Sequence, residues 1–237
     1  MDFFSVGLSA LSDSVVALLK IIAIDIILSG DNAVVIAMAT RNLPKEQQNK
    51  AIFWGTGGAV VLRILFASVI VILLKIPFVN IIGGFLLLWI AYKVLVSDEQ
   101  AAHVQSQSSL FKAVRTIILA DAVMSLDNVV AVAGAAHGHI GMVALGVLIS
   151  IPIMIFGSKA IVKIMNKFQW IAYIGSGILA WTAGEMIFKD RHIDKWLHIE
   201  SALIEYSIIG VITLIVLALG YAKNKHDEKD NKLQHTA

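Results

Sequence analysis

Two acidic segments of the chain carry the same pattern of polar residues inside long apolar runs. The pattern D-x-x-x-S-x-D-N-x-V-x-x-A begins at Asp25 and begins again at Asp121, 96 residues later. Carboxylates cost free energy in hydrocarbon, so aspartates within apolar spans are candidates for function. Carboxylate and amide oxygens are the ligands that hard divalent cations prefer. The repeated pattern therefore predicts a site for such a cation.

Each copy of the pattern supplies two carboxylates and one amide. Brought together without counter-charges, four carboxylates would repel one another, so they must be protonated, paired with cations or bound to metal. The chain has no cysteine, and an all-oxygen site favours Mn²⁺, Ca²⁺ or Mg²⁺. The alternative is that these residues only form hydrogen bonds between helices. The predicted metal ligands are Asp25, Asp31, Asn32, Asp121, Asp127 and Asn128, with Ser29 and Ser125 in support.

Gly30 makes the first copy differ from the second. On an ideal helix Asp25, Ser29 and Asn32 share one face, whereas Asp31 lies about 120° round it. A glycine weakens a helix, and local unwinding at Ser29-Gly30 would turn Asp31 inward and free carbonyl oxygens. Leu126 stands at the equivalent position of the second copy, where unwinding is less favoured.

The composition is that of a membrane protein. Of 237 residues, 58% are hydrophobic and only 15% are charged, whereas soluble domains have about a quarter charged. The net charge of +2 is too small to indicate a nucleic-acid partner. Residues 1–14 contain no lysine or arginine, so the basic region of a signal peptide is missing. The lipid bilayer of the cell membrane is the expected surrounding.

The hydrophobic runs predict an all-α, polytopic protein with seven transmembrane helices. The runs are continuously apolar, which excludes barrel strands. Residues 1–222 form one transmembrane domain, residues 98–112 form the longest polar loop, and residues 223–237 form a hydrophilic, unstructured tail. The predicted spans are about 14–37, 51–74, 78–97, 113–134, 140–163, 168–188 and 202–221.

The repetition extends beyond the acidic pattern. Gly83 precedes Trp89 in the third span by the same spacing that separates Gly175 from Trp181 in the sixth. Three spans per copy is an odd number, so the two copies must cross the membrane in opposite orientations. The chain therefore reads as a 3+3 inverted-topology repeat, at about 14–97 and 113–188, plus one extra helix. Transporters with this architecture bind their substrate near the midplane, between the repeats.

Basic residues near the span ends indicate the orientation. With the N-terminus outside, 13 lysines and arginines lie on the cytoplasmic side and four on the outer side. Short cytoplasmic loops carry an excess of these residues. The N-terminus is thus expected outside and the C-terminal tail in the cytoplasm.

Three further groups of polar residues have two interpretations each. Arg63, in the middle of the second span, either offsets the carboxylates when metal is absent or pairs with one aspartate structurally. Glu185 is either an additional ligand or proton carrier, or a side chain that reaches the interface or pairs locally, for example with Lys93. His137 and His139 either serve metal at the exit or lie solvated in a loop.

At these residues the chain resembles the TerC family of integral membrane proteins, most closely its YjbE-like branch. The two acidic segments and the Gly-to-Trp spacings of spans three and six carry the resemblance, which covers about residues 14–221. It implies a seven-helix inner-membrane protein of the LysE-like transporter superfamily. It also implies export of Mn²⁺, which protects the cell from excess manganese.

The sequence therefore favours a secondary transporter, and not an enzyme, that exports a divalent cation through a midplane site, in exchange for protons. No nucleotide-binding motif is present, and no tightly bound cofactor is expected besides the transported ion, with Mn²⁺ favoured. A Ca²⁺/H⁺ exchanger is the nearest alternative. From other classes, an intramembrane metal-dependent hydrolase and a scaffold with a structural metal stay open. So does assembly as a homodimer.

Overall fold

Helices make up nearly all of the structure, a computed structural model, and no strand occurs in the part of the chain that it describes. The described residues are 15–16, 18–26, 29–73, 76, 78–96, 106–136, 140–190, 192–193 and 201–234. The helices are α1 Leu18–Ile26, α2 Gly30–Thr40, α3 Lys45–Leu73, α4 Val79–Val96, α5 Ser106–Ala135, α6 Ile140–Lys167, α7 Ile171–Phe188 and α8 Ala202–Gln234.

Five of these helices, α3, α4, α6, α7 and α8, are long and apolar enough to cross a membrane, and α1 with α2 makes a sixth span if the pair is counted as one. Large apolar side chains such as Trp54 and Phe156 lie on the outside of the bundle, where they are 64% and 71% exposed. Helices that are apolar on all sides suit a lipid environment. The chain is a multi-pass integral membrane protein.

Two predicted boundaries differ from the structure, and the first span is divided where Gly30 was expected to weaken it. The first span is not one straight helix, because α1 and α2 meet at a bend of 46°. The predicted loop 98–112 is shortened by α5, which begins at Ser106. The tail predicted to be unstructured is helical as far as Gln234. The tail contains no proline or glycine beyond Gly220, and an ion pair of 2.5 Å joins Lys223 to Asp227 one turn later.

Helices α4 and α7 pack closely and run antiparallel through the centre of the bundle. A Cβ atom on Gly84 would lie 2.8 Å from the carbonyl oxygen of Ala183. At the other end of the contact, the hydroxyl of Ser176 donates to the carbonyl of Ala91 at 3.0 Å. Glycine permits this close approach because it has no side chain. Helix α8 covers the pair, packing against α7 and α4.

Helix α3 runs parallel to α5. A Cβ atom on Gly55 would lie 2.7 Å from Ile117, and further along both helices Arg63 contacts Ser125. Helix α2 runs antiparallel to α3, because Ile36 packs with Ile52 whereas the earlier Ser29 bonds to the later Arg63. The acidic segments on α1–α2 and α5 thus approach the same stretch of α3 from opposite directions.

Helix α6 runs parallel to α1 and α2. Ile21 occupies the space beside Gly146, and Asp25 bonds to Ser150 four residues further along each helix. Gly157 then faces Ala33. Ile21 and Ile117 stand at equivalent positions before the two acidic patterns. Ile21, before the first pattern, packs against Gly146 of α6, the helix that follows the second pattern. Ile117, before the second pattern, packs against Gly55 of α3, the helix that follows the first.

Candidate functional site

A buried arginine joins the two acidic segments. The Nη1 atom of Arg63 lies 2.5 Å from Oδ1 of Asp25, and its Nη2 atom lies 2.6 Å from Oδ1 of Asp121. All three side chains are buried, with Asp25 fully so. Asp25 belongs to α1, Asp121 to α5 and Arg63 to α3. The Asp25–Arg63–Asp121 triad therefore forms only when the two copies of the pattern come together.

Serine hydroxyls complete the hydrogen bonding of this triad. Ser29 accepts from Nη1 of Arg63 at 3.0 Å, and Ser125 accepts from Nε at 3.1 Å. Ser125 also donates to Oδ2 of Asp121 at 3.0 Å, and Ser150 donates to Oδ2 of Asp25. Each carboxylate thus has one oxygen on the guanidinium and the other on a hydroxyl.

The bend between α1 and α2 lies within the first acidic segment. Ser29 forms a turn, and α2 begins at Gly30. The half-buried Asp31 uses its carboxylate to accept the backbone N–H of Asn32 at 2.9 Å, within the first turn of α2. Its charge interacts with those of Asp121 and Arg63. The predicted weak point at Ser29-Gly30 coincides with this bend, but the carbonyls of Asp25 and Ser29 still accept from the backbone N–H groups of Ser29 and Ala33 at 2.9 and 3.3 Å, so neither carbonyl is freed as the prediction expected. Helix α5 continues unbroken through Leu126, as expected.

Asn32 is the polar side chain at this site whose bonding capacity is unused. It is only 2% exposed, and neither Oδ1 nor Nδ2 has a hydrogen-bond partner among the described residues. Buried amide groups normally have partners, and leaving one without costs about 1–3 kcal/mol. An amide oxygen of this kind is available to a bound cation.

The remaining predicted ligands lie on α5. Asn128 is buried, whereas the structure does not describe the side chain of Asp127. Among the described residues, no three histidine, aspartate or glutamate side chains are grouped closely enough to hold a metal ion. The structure therefore brings Asp25, Asp121 and both serines together around Arg63.

Glu185 lies outside this cluster. Its Oε1 atom accepts a hydrogen bond of 2.9 Å from the indole of Trp181, one turn earlier on α7. Lys93, at the equivalent position of α4, has its ammonium group 4.4 Å from the ring of Trp89. Each of these charged side chains thus has a local aromatic contact. His137 and His139 lie outside the described residues.

Ser150 is a member of the site that sequence reasoning missed. It lies on α6 and is fully buried against Asp25. Between Ile140 and Phe156, Ser150 is the one side chain able to form a hydrogen bond, and Pro152 follows two residues later. A lone hydroxyl beside a proline in an apolar helix is a usable signal, because both interrupt a run that otherwise contacts lipid or other helices.

These features define the class: a multi-pass, all-helical integral membrane protein whose two acidic segments meet in a buried polar cluster. Residues 10–228 match the sequence profile described as the integral membrane protein TerC family. The chain belongs to the TerC family, as the resemblance of its acidic segments predicted.

The similar proteins are themselves described as membrane proteins. The chain is 44% identical over 209 residues to the uncharacterized membrane protein YjbE of Bacillus subtilis, covering 88% of this chain and 96% of YjbE. It is 28% identical to YkoY of the same organism, covering 69% of this chain and 57% of YkoY. It is 29% identical to the inner membrane protein YoaE of Escherichia coli, covering 63% of this chain and 33% of YoaE. No solved structure matches the chain.

Proposed function

We propose that this protein is a secondary transporter that exports a divalent cation, with Mn²⁺ as the favoured substrate. The observation that carries the proposal is the convergence of both acidic segments on Arg63, deep inside a membrane protein. Buried carboxylates in a bilayer are costly and mark ion pathways. A duplicated pair of them, one from each half, is the arrangement expected for a site at the interface of two repeats.

The helix directions support an inverted repeat. Corresponding helices of the two halves are α1–α2 and α5, then α3 and α6, then α4 and α7. The third pair runs antiparallel by direct contact, and the first does so because α1–α2 opposes α3 whereas α5 is parallel to it. The second pair is antiparallel because α3 opposes α2 whereas α6 runs parallel to α2. The contacts between the halves also correspond. Helix α3 of the first half packs on α5 of the second, and its counterpart α6 packs on α1–α2, the counterpart of α5. A two-fold axis in the membrane plane is the simplest relation with these properties.

The same directions support seven crossings, with α5 as the fourth. Helices α4 and α6 both run in the direction of α1–α2, because α6 packs parallel to them and the C-terminal ends of α2 and α4 meet where Arg41 donates to the carbonyl of Val94. The chain must then cross back between them, and α5 is the helix available. Its 30 residues span about 45 Å, more than a bilayer core of about 30 Å. Helix α8 opposes α7 and makes the last crossing.

The donors favour a hard cation as the substrate. Asp31 and the unpartnered amide of Asn32 lie in the first turn of α2, beside the buried triad. Oxygen donors of this kind suit Mn²⁺, Mg²⁺ and Ca²⁺, and the resemblance to the family favours Mn²⁺. The excess of basic residues on one side supports an N-terminus outside, whereas export from the cytoplasm is proposed from the resemblance to the family. The carboxylates also bind protons, so proton exchange is one way to return the empty carrier.

Hydrolysis fits the site less well. A metal-dependent hydrolase needs a carboxylate that can take a proton from bound water. Both oxygens of Asp25 and both of Asp121 already accept hydrogen bonds from Arg63 or a serine. Neither is free to act as a general base in this arrangement. At Asp25 and Asp121 the arrangement therefore favours transport over hydrolysis.

Flux of Mn²⁺ across sealed proteoliposomes tests the proposal. We expect concentration-driven Mn²⁺ transport by the wild-type protein and loss of at least about tenfold in Asp25→Asn and Asp121→Asn, because each removes one charge from the shared site. Asp31→Asn and Asp127→Asn should abolish manganese tolerance in cells while membrane expression persists. Asp227→Asn, which removes a carboxylate from the distant end of α8, is the matched control and should transport normally.

Binding without transport would refute the proposal. If the purified protein binds Mn²⁺ but moves none across a sealed membrane, a scaffold with a structural metal becomes the better interpretation. Side-by-side flux of Mn²⁺, Ca²⁺, Mg²⁺ and Fe²⁺ identifies the substrate. Strong inhibition of Mn²⁺ uptake by equimolar Ca²⁺ would favour a calcium exchanger instead.

A further inference from the structure

We infer that Arg63 is a tethered counter-cation, which takes the place of the transported metal between Asp25 and Asp121 when the site is empty. This inference rests on the proposed transport function. It assigns a coupling role to a residue whose position alone would also suit a purely structural ion pair. Three observations carry it: the geometry of the guanidinium, the hydroxyls around it, and its occurrence in one half only.

The guanidinium lies where a divalent ion shared by the two segments would lie. Its two terminal nitrogens are 2.5 Å and 2.6 Å from carboxylate oxygens of Asp25 and Asp121, which come from different copies of the pattern. Metal–oxygen bonds of hard divalent ions are about 2.0–2.6 Å long. A metal cannot reach the same two oxygens while the guanidinium stays between them. Metal and Arg63 must therefore alternate.

The serines offer Arg63 hydrogen bonds that do not depend on the carboxylates. Ser29 accepts from Nη1 at 3.0 Å and Ser125 accepts from Nε at 3.1 Å. Both hydroxyls are buried. When the carboxylates turn to a metal ion, these neutral acceptors still satisfy part of the guanidinium, which would otherwise be left buried without partners. The site can thus hold Arg63 in either state.

Arg63 gives the empty and loaded sites net charges of equal magnitude and opposite sign. Counting the triad alone, the empty site carries one net negative charge, and a bound divalent ion changes this to one net positive charge. Without Arg63 the empty site would carry two negative charges. The cost of burying an ion in low dielectric grows with the square of its charge, so a doubly charged empty site would resist moving through the membrane. Arg63 therefore allows the empty carrier to return without another cation.

A single arginine serves both halves. Gly55 and Gly146 occupy equivalent places, because Ile117 and Ile21 pack against them respectively. The residue eight positions after Gly55 is Arg63, and the residue eight positions after Gly146 is Met154, which is buried and apolar. Two arginines would cancel both carboxylates and remove the attraction for metal. A single arginine leaves the empty site with one net negative charge, which still attracts a cation.

Two modes of flux in proteoliposomes separate this role from a structural one. Net efflux into Mn²⁺-free buffer requires the empty carrier to return, whereas exchange of labelled for unlabelled Mn²⁺ does not. With equal pH on both sides and the membrane potential clamped at zero, we expect wild-type protein to show both modes. In Arg63→Gln we expect net efflux to fall by about tenfold or more while exchange stays within about threefold of wild type, because only the empty state loses its counter-charge.

Lys159→Gln is the matched control. Lys159 lies on α6, 96 residues after Arg63, and is exposed, so both modes should be unchanged. If Arg63→Gln fails to fold, Arg63→Met replaces it, because methionine also removes the counter-charge and is the apolar residue at the equivalent place on α6. In that variant too, net efflux should fall more than exchange.

Equal loss of both modes, or loss of neither, in the folded variant would overturn the inference. A wild-type protein that shows exchange but no net efflux at equal pH would overturn it as well, because the empty carrier would then need another cation. If wild-type protein carries no Mn²⁺ in either mode, the proposed function fails instead. The two failures are therefore distinguishable.

Discussion

The two acidic segments have the same polar residues but different backbones. The first is divided between α1 and α2, which meet at a bend of 46°, and the second lies in the unbroken helix α5. Asp25 and Asp121 nevertheless reach the same guanidinium. The difference appears one turn later, where α2 begins at Gly30. We infer that the first aspartate of each segment builds the shared ion pair, whereas the broken half holds the adaptable donors.

The amide side chains sharpen this contrast. Asn32 is buried with both polar atoms unpartnered among the described residues, whereas its counterpart Asn128 is buried but has an interaction partner. An unpartnered buried amide lowers stability. Such a cost persists where it serves a ligand, since strained or unsatisfied groups cluster at functional sites. We therefore expect the first acidic segment to contribute more to cation binding and less to folding stability than the second.

The largest expected effect comes from Asn32→Leu, which keeps the size of the side chain and removes the unpartnered amide. We expect the folded protein to become more stable by about 1–3 kcal/mol, because the desolvation penalty disappears. We expect Mn²⁺ flux to fall by about tenfold or more, the loss that even outer ligands of a metal site cause. Thermal unfolding in detergent and flux in proteoliposomes measure the two effects.

Asn128→Leu is the comparison that could break this interpretation. Asn128 has an interaction partner, so its replacement should lower stability by about 1 kcal/mol instead of raising it. Equal destabilisation by both substitutions would mean that Asn32 has a structural partner after all. The asymmetry between the halves would then be one of backbone shape alone.

The sequence predicted the helical class, the membrane setting and the acidic residues that meet. Asp25 and Asp121 could be chosen because carboxylates in apolar runs need a reason to be there. The bend at Gly30 was also predictable, since the glycine stands within a span where it weakens the helix. These inferences depend on the free-energy cost of single residues in an apolar helix and on the spacing of neighbouring residues, both of which can be taken from one sequence.

What the sequence could not supply was the choice of partners. Arg63 had two interpretations, and only the packing of α3 between α1 and α5 shows that it pairs with both aspartates. Ser150 was missed because its bond to Asp25 joins residues 125 positions apart. The helical tail was missed because the prediction used its hydrophilic composition alone and did not consider the pairing of Lys223 with Asp227 one turn later. Hydrogen-bond and ion-pair partners that lie far apart in the chain produce no periodic pattern in the sequence, so they cannot be predicted from it in this way.

A smaller effect is expected from Gly30→Ala, which stiffens the point where the two segments differ. A Cβ atom at Gly30 would have nothing within 4 Å, so the substitution fits sterically. Alanine should raise stability by about 0.5–1 kcal/mol, because it favours helix over unfolded chain. We expect transport to slow severalfold, because the carrier loses flexibility at the bend. Unfolding temperature and initial flux rate report the two changes.

Gly57→Ala is the control for Gly30→Ala. Gly57 is an exposed glycine within α3, and its added Cβ would also meet nothing within 4 Å. It should bring the same gain in stability with normal transport. If both variants transport like wild type, the broken helix has no part in the transport cycle, and the two acidic segments differ in shape without differing in role.

The smallest expected effect concerns the third helices of the two halves, α4 and α7, whose N-terminal ends differ in capping. Trp170 precedes α7 and makes no side-chain cap, whereas the carboxylate of Asp190 accepts hydrogen bonds from the backbone of Ile81, near the start of α4, and from the backbone and ring of His192. The ring of His192 in turn packs on Phe78 at 4.1 Å. Through these hydrogen bonds Asp190 links the segment after α7 to the N-terminal end of α4.

Burial disfavours the charged form of Asp190, but the hydrogen bonds from His192 outweigh it, so the pKa of this carboxyl lies below its ordinary value. A lowered pKa means that the folded state binds the proton less readily than the unfolded state. The stabilisation is therefore complete above the unfolded pKa of about 4 and is lost as the pH falls through the lower folded value.

In Asp190→Asn we expect a loss of about 1 kcal/mol at neutral pH, typical of a removed cap, and a weaker decline in stability below about pH 4. Unfolding temperatures of both proteins from pH 7 to pH 3 measure this difference, with Asp227→Asn as the control; parallel acid curves would show that Asp190 does not hold the end of α4.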